Sequence, residues 1–338
     1  MNCKEGHIPV LLNEVLEGLN IKKDGIYVDC TLGGGGHASR ILEKIEKGWL
    51  YCFEQDEQTK EKGQAKLASI SSSFTIFPLN FVNFKKALEE QGVYKVDGVL
   101  YDLGVSSYQL DTPERGFSYN YDSRLDMRMN TSQKISAYDI VNDYSFEELR
   151  RIFFVYGEEK FSTQIARNIE KERKVKPIET TFELVEIIKK SLPAKVLRQK
   201  GHPAKQVFQA LRIAVNNELD VFEKSLRDSL KMLNKGGRIC VITFHSLEDR
   251  ICKQIFKDVT ETDIPRGLPV KDCDIIHEYK IITKKPIVAT NEELEYNHRS
   301  HSAKLRIIEK LWEYNILWIK WRNYKCLDLY QNQLTINL

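Results

Sequence analysis

Tyr27-Val28-Asp29-Cys30-Thr31-Leu32-Gly33-Gly34-Gly35-Gly36-His37 is an apolar strand that ends in Asp29 and runs directly into four consecutive glycines. The residues behind it, Ser39-Arg40-Ile41-Leu42-Glu43-Lys44-Ile45, read as a helix. Glycine lets a backbone approach a ligand closely and turn through positive φ, and the following helix start offers unpaired N–H groups to electron-rich atoms. Further along, Leu50-Tyr51-Cys52-Phe53 forms a second strand ending in Glu54, a carboxylate placed to accept hydrogen bonds from ribose hydroxyls. Strand, glycine loop, helix, strand and acid together predict a βα unit that cradles a nucleotide-bearing cofactor.

That unit does not name its cofactor, because Gly33-x-Gly35-x-x-Ala38 also fits the dinucleotide fingerprint. Two later stretches favour S-adenosyl-L-methionine. Val96-Asp97-Gly98-Val99-Leu100-Tyr101-Asp102-Leu103-Gly104-Val105-Ser106-Ser107 is a strand ending in an acid and a small polar turn, as the target-facing strand does in methyltransferases acting on amino groups. Leu233-Asn234-Lys235-Gly236-Gly237-Arg238-Ile239-Cys240-Val241-Ile242 reads as a helix end, a tight Gly-Gly turn and a strand, a sequence common before the fifth strand of S-adenosylmethionine enzymes. The alternatives are a nicotinamide-dependent enzyme and a nonenzymatic RNA-binding protein. The second leaves the glycine loop and both strand-end acids without a purpose.

At 338 residues the chain can bury a large core in one big domain or two ordinary ones. Its 42% hydrophobic and 29% charged residues are those of a soluble globular protein, and no run approaches the apolar length a membrane span requires. The start, Met1-Asn2-Cys3-Lys4-Glu5-Gly6, lacks the apolar core of a secretory signal. Seven cysteines, at 3, 30, 52, 240, 252, 273 and 326, contain no C-x-x-C pair, so neither a disulfide framework nor a metal site is expected, and a reducing cytoplasm fits best. Net charge is +3, yet residues 144–205 hold 14 Lys and Arg against 9 Asp and Glu, leaving 37 against 39 elsewhere. A basic module beside a near-neutral cofactor domain points to a polyanionic substrate.

Apolar Val10, Leu11, Leu12, Val15, Leu16 and Leu19 recur at near-helical spacing ahead of the first strand. Strands near 26–30, 50–54, 74–78 and 96–102 alternate with helical stretches, the pattern of a doubly wound parallel α/β sheet of Rossmann-like type. Then strands cease. Ser145-Phe146-Glu147-Glu148 is a capping box opening a helix that Gly157 closes, and Thr180-Thr181-Phe182-Glu183 opens another with Pro193 beyond its end. Strand signals return at 238–243, near 279–283 and at 304–309. The expectation is a discontinuous methyltransferase domain, 1–107 and 205–310, with an all-helical insert at 108–204 that recognises RNA. Residues 311–338 carry Trp312, Trp318 and Trp321 and form an atypical extension that could pack as a helix or mediate association into a homodimer.

Asp102 ends its strand on the same sheet edge as the glycine loop, where ligands of open α/β sheets sit. An exocyclic base amine is a poor nucleophile because its lone pair is delocalised into the ring. Acceptors on its N–H groups localise that pair and aim it at a methyl donor, and Asp102 or the Leu103 carbonyl can serve. The local text, Asp102-Leu103-Gly104-Val105, has no stacking aromatic, so one from elsewhere would have to hold the base. His245-Ser246 follows the later strand and reaches the same edge, but with no G-x-S-x-G elbow it is not read as a hydrolase pair.

The ordered stretches His7-Ile8-Pro9-Val10-Leu11-Leu12, the glycine loop through His37, Asp102 to Ser107, Arg115-Gly116-Phe117-Ser118 and Leu125-Asp126-Met127-Arg128-Met129 resemble the MraW/RsmH family of small-subunit ribosomal RNA methyltransferases. Tyr156-Gly157-Glu158-Glu159, His202-Pro203-Ala204, Phe208-Gln209-Ala210-Leu211-Arg212-Ile213, Asn217-Glu218-Leu219, the run from Phe244 to Arg250 and Ser302-Ala303-Lys304-Leu305-Arg306 extend the resemblance to about residue 310. It implies transfer of a methyl group from S-adenosyl-L-methionine to N4 of a cytidine in the decoding region of 16S ribosomal RNA, with the assembled small subunit as partner. It also implies cofactor contacts from Gly35, Gly36, His37, Glu54, Phe81, Asp102 and Gln109, with Asp102 the catalytic candidate. Lys205, Arg212, Asn217, His245 and Arg250 are the candidates for touching RNA. The chain departs from the family pattern in Glu54, where Asp is usual, in Gly34 in place of Arg, and in Tyr108 in place of Pro.

Overall fold

The computed structural model describes residues 8–261 and 277–312. Among these residues seven strands, β1 (Ile26–Asp29), β2 (Trp49–Phe53), β3 (Phe74–Phe77), β4 (Val96–Asp102), β5 (Leu233–Thr243), β6 (Tyr279–Ile281) and β7 (Lys304–Lys310), form one sheet in the order β3-β2-β1-β4-β5-β7-β6. The first five run parallel, and β7 is antiparallel to both β5 and β6. The doubly wound, Rossmann-like sheet expected from the alternation of elements is therefore present. At β1 the strand order reverses, and the crevice beyond the carboxyl ends of such strands is where this architecture receives ligands. Asp29, Glu54 and Asp102 all lie on that edge.

Strand side chains alternate between faces, and β4 shows the result. Val99 and Tyr101 enter one core with Phe84, Phe222, Leu226 and Phe256, while Leu100 enters the other with Leu19, Ile41, Leu50 and Ile242. The second core is covered by α1 (Leu12–Leu19), α2 (Gly36–Leu42) and α3 (Glu57–Ala68), and the first begins with α4 (Phe84–Glu90). Each such side chain taken fully out of water contributes about 1.5–3 kcal/mol. A strand buried on both faces reads as an uninterrupted apolar run, and Val99-Leu100-Tyr101 is that run in β4.

Between β4 and β5 the chain leaves the sheet through α5 (Ser107–Asp111), α6 (Ala137–Asp143), α7 (Phe146–Gly157), α8 (Ser162–Arg173), α9 (Thr181–Ser191), α10 (Ala194–Leu197) and α11 (Lys205–Asn216). It returns along α12 (Glu218–Met232). The two expected capping boxes are formed, Ser145 with Glu148 opening α7 and Thr180 with Glu183 opening α9. Leu149, Phe153, Ile165, Ile169, Leu184, Ile188, Phe208 and Leu211 build a third core, which runs on through α11 to Val215. Gly157 is not the left-handed cap of α7; Glu158 is, at φ 51°. Gly157 is required for packing, since a Cβ there would stand 2.7 Å from the Gln206 carbonyl on α11.

The expected Gly-Gly turn before β5 lies inside that strand, where Gly236 takes φ 75° and the register with β4 shifts between Val96 and Gly98. After β5 come α13 (Ser246–Thr260) on the first face and α14 (Asn291–Tyr296) ahead of β7. No helix among the described residues is long and apolar enough to cross a membrane. Of the tryptophan-rich tail, Trp312 lies with the Lys235 ammonium 5.3 Å from its ring centroid; the expectation for 313–338 falls outside the described residues.

Candidate active site

The glycine loop is folded by its neighbours. Thr31 N–H donates to buried Asp29 Oδ1 (2.9 Å), Leu32 N–H to the Phe53 carbonyl (3.1 Å), and Gly33 and Gly35 take left-handed φ of 52° and 75°. Gly36 opens α2 under Pro9, whose Cγ would meet an added Cβ at 2.7 Å. Around Gly34 there is nothing within 4 Å of where a Cβ would go, so this stretch of backbone is open to a ligand. Gly33, Gly34 and Gly36 line a cavity of about 1340 Å³ between the sheet edge and the helical body. Gly35 does not line it: the position of its missing Cβ points at Gly63 on α3, 3.4 Å from that Cα. Any contact from Gly35 would have to come from its backbone.

Glu54 lies just past β2 and grips the base of the loop, Oε2 accepting from Gly33 N–H (3.1 Å) and Oε1 from Asp56 N–H (2.9 Å). Burial pushes its carboxyl up to about 7, with the Asp56 charge adding to the rise and the N–H donors opposing it. Phe81 lines the cavity with its ring edge-on to Tyr101, centroids 5.7 Å apart, whereas Phe84 is wholly buried in the core. Gln109 also lines it, but its amide is committed inward: Oε1 accepts from Ser106 N–H (3.1 Å) and Nε2 donates to Asp56 (3.0 Å).

Asp102 closes β4 with its N–H on the Thr31 hydroxyl (2.7 Å) and Oδ2 at 3.4 Å from His37 Nδ1. Its Oδ1 is buried and has no hydrogen-bond partner. A carboxylate oxygen left without a donor at the wall of a cavity calls for one from a ligand. Phe244, just after β5, is an aromatic that lines the cavity beside the Asp102 motif: its ring lies 3.7 Å from where a Gly104 Cβ would be, and Gly104 itself takes φ 98°. Leu103 N–H bonds the Ile242 carbonyl (3.1 Å) and so keeps these two strand ends side by side.

Of the residues expected to meet RNA, Lys205, Arg212 and His245 line the same cavity, while Asn217 and Arg250 do not. Arg212 is held in a bidentate pair with Glu218 (2.8 and 2.9 Å), which joins α11 to α12. His245 is the N-cap of α13, with Glu248 returning its carboxylate to the Phe244 N–H at 2.8 Å. Asn217 forms the left-handed corner between α11 and α12 at φ 49°. Arg250 is exposed and pairs with Glu158 (2.9 Å), which also accepts from the Ser246 hydroxyl (2.6 Å), so Ser246 turns away from His245.

Glu218, His245 and Glu248 place ligand atoms within 4.8 Å of one another. Both Glu218 oxygens accept from the Arg212 guanidinium and Glu248 Oε2 accepts from the Phe244 and His245 N–H groups, while Glu248 Oε1 stands 3.1 Å from His245 Nε2.

Sequence reasoning missed the tie between the two bodies. Buried Arg115 forms an ion pair with Asp56, the N-cap of α3, and donates to the carbonyls of Arg128 (2.7 Å) and Met129 (3.2 Å). Within the helical body Asn216 of α11 braces the same loop, accepting from Met129 N–H and donating to the Met127 carbonyl, both at 2.8 Å. The Arg115-Gly116-Phe117-Ser118 and Leu125-Asp126-Met127-Arg128-Met129 motifs were visible. Their role was not, because the partners lie far apart in sequence.

With the geometry in place, the chain can be compared with known proteins. The profile of the MraW methylase family matches residues 4–311. Ribosomal RNA small subunit methyltransferase H of Exiguobacterium sibiricum is 54% identical over 308 residues, covering 91% of this chain and 99% of that one. Among solved structures, an rRNA methylase from Streptococcus thermophilus aligns with a TM-score of 0.38 at 11% identity over 89% of this chain and 94% of its own. A SAM-dependent O-methyltransferase from Thermotoga maritima aligns at 0.37 and 8% identity, over 90% and 66%. These two likenesses are too distant to bear on substrate or mechanism.

Proposed function

The chain belongs to the MraW methylase family, as an S-adenosylmethionine-dependent methyltransferase of small-subunit ribosomal RNA, and on that premise we propose that its acceptor is N4 of a cytidine in the decoding region of 16S ribosomal RNA. The observation that carries the proposal is the single cavity that holds an open glycine loop, a strand-end acid at its base and an unpartnered carboxylate oxygen on Asp102. At about 1340 Å³ it exceeds the roughly 300–1,000 Å³ of a site for one small ligand and leaves room for a nucleotide beside a cofactor.

The residues fit S-adenosyl-L-methionine, which when bound supplies an electrophilic methyl group. Gly33, Gly34 and Gly36 give it backbone to lie against, Glu54 has lone pairs left for ribose hydroxyls, and Phe81 offers a ring edge to the adenine. Asp102 Oδ1 and the Leu103 carbonyl accept from the N4 amine, and Phe244 is the platform for the cytosine ring. Methyl transfer, with the electron pair of the broken C–S bond left on the cofactor's sulfur, would leave N4 with a surplus proton. Asp102 Oδ1 is the acceptor at hand for it.

The target base must leave its stack, at a cost of a few kcal/mol that contacts elsewhere offset. Lys205 at the start of α11 and the basic helical body, expected at 108–204, are proposed to provide those contacts on phosphates in the assembled small subunit, in the cytoplasm. The test is mass spectrometry of ribosomal RNA from a strain lacking the chain. N4-methylcytidine should disappear and return with the wild-type chain but not with Asp102→Asn. Full N4-methylation in the deletion strain overturns the proposal.

A further inference from the structure

Asp102 is held by more than its strand, and the group that holds it is His37. The ring is buried, 5% exposed, at the start of α2. Its Nε2 lies 2.9 Å from the Val10 carbonyl, and because a carbonyl only accepts, Nε2 carries a proton. Nδ1 on the opposite side lies 3.4 Å from Asp102 Oδ2. A neutral ring protonated on Nε2 would turn the Nδ1 lone pair toward a carboxylate oxygen inside a water-poor wall, and the two would repel. A proton between them removes the conflict.

Resting on the methyltransferase reading of this site, we propose that His37 is a positioning residue: an imidazolium that takes Asp102 Oδ2 and thereby fixes the unpartnered Oδ1 toward the acceptor amine.

The surroundings agree. The charged groups facing the ring are the Asp102 carboxylate at the end of β4 and Asp29 at the end of β1, with the Val10 carbonyl on the remaining side. Burial works against a charged ring, but the bond and charge of Asp102, then Asp29 and Val10, outweigh it and raise the His37 pKa above its ordinary value. Asp29 is turned from the cavity by its bond to Thr31 N–H, and the Thr31 hydroxyl takes the Asp102 N–H. Backbone and side chain of Asp102 are thus both anchored, leaving Oδ1 alone uncommitted. A fixed acceptor acts on the barrier more than on affinity, since orientation is set before the substrate arrives.

The sign of the pH effect follows. With a raised pKa the ring is charged below that value and neutral above it, so the clamp is present at low and neutral pH and is released as pH rises. Methylation should therefore carry an alkaline limb that belongs to His37.

Two measurements on the full chain test this. In histidine-ring NMR of the ¹⁵N-labelled protein, His37 should show both nitrogens protonated at neutral pH, and Asp102→Asn should lower its titration point by at least about one pH unit, a tenfold change. A neutral ring in the wild-type chain at neutral pH overturns the proposal. In single-turnover methylation of small subunits at saturating cofactor, His37→Gln, which keeps a donor for Val10, should cut the rate at least tenfold and flatten the alkaline limb. If the rate falls and the limb persists, His37 merely packs the loop and the proposal is wrong. A charged, Asp102-dependent ring in a chain that leaves small subunits unmethylated would instead refute the proposed function and spare the clamp.

Discussion

Glu54 ties the fold of the glycine loop to pH. Its carboxyl is pushed up to about 7 from an ordinary 4.5, so the folded chain keeps a proton that the unfolded chain loses. For such a group stability is full below the unfolded value and falls as pH rises through the folded one. Glu54→Gln should therefore make the cofactor-free protein more stable than wild type at about pH 8, by on the order of 1–3 kcal/mol, with the difference vanishing near pH 4. The same change should weaken S-adenosylhomocysteine binding, since each hydrogen bond to a charged acceptor is worth up to about 1.5–3 kcal/mol. Thermal melts across pH, with and without S-adenosylhomocysteine, read both effects; equal affinity in the variant would place the ribose elsewhere. Asp102→Asn should lower single-turnover methylation by at least about a hundredfold, the scale of a lost proton acceptor, while RNA affinity changes little. An unchanged rate would remove Asp102 from the chemistry.

At the scale of elements, the junction of α11 and α12 separates two arginine roles that look alike in sequence. Arg212 is bound through Nε and Nη2 of its guanidinium to the two Glu218 oxygens, and both side chains are largely buried. Removing it leaves a buried carboxylate without its partner, so Arg212→Ala should cost about 3 kcal/mol of stability in urea denaturation. Lys205, which has no ion-pair partner among the described residues, should behave in the opposite way: Lys205→Ala should leave the denaturation midpoint in place and weaken RNA binding. Normal stability with selectively lost RNA affinity in Arg212→Ala would reverse the assignment. Gly116 is a second structural position, at φ 69° where an added Cβ would clash with the Arg124 carbonyl, so Gly116→Ala should destabilise the helical body by about 1–3 kcal/mol.

For the whole molecule, the cavity lies between two bodies with separate cores, joined by the Arg115–Asp56 pair. Substrate RNA laid across both would bring its phosphates to the basic residues of the helical body. Four phosphate contacts on single-stranded RNA would lower affinity about fiftyfold between 50 and 200 mM salt. Filter binding or fluorescence anisotropy across that range measures the slope, and a flat line would show that charge does not drive the encounter. Free cytidine should be methylated far more slowly than the assembled subunit, because it brings no remote binding energy to position the base.

The sequence by itself determined the sheet and its ligand edge. Glycines, strand-end acids and continuous apolar runs are local signals, and a parallel strand buried on both faces has few other readings. It also marked Glu54, Phe81, His37 and Asp102 as site residues, and these do share one cavity. Only the tertiary structure decided what each touches there. Whether Arg212 faces RNA or Glu218, whether Gly157 caps a helix or admits a neighbour, and whether Phe244 stands over Gly104 all depend on atoms brought together by packing. Arg115 meets Asp56, and Asn216 meets Met127 and Met129, across long intervals of chain that periodicity cannot span. Hydrophobic pattern fixes which face of an element is buried; the partner of a buried polar group is fixed by three-dimensional distance alone.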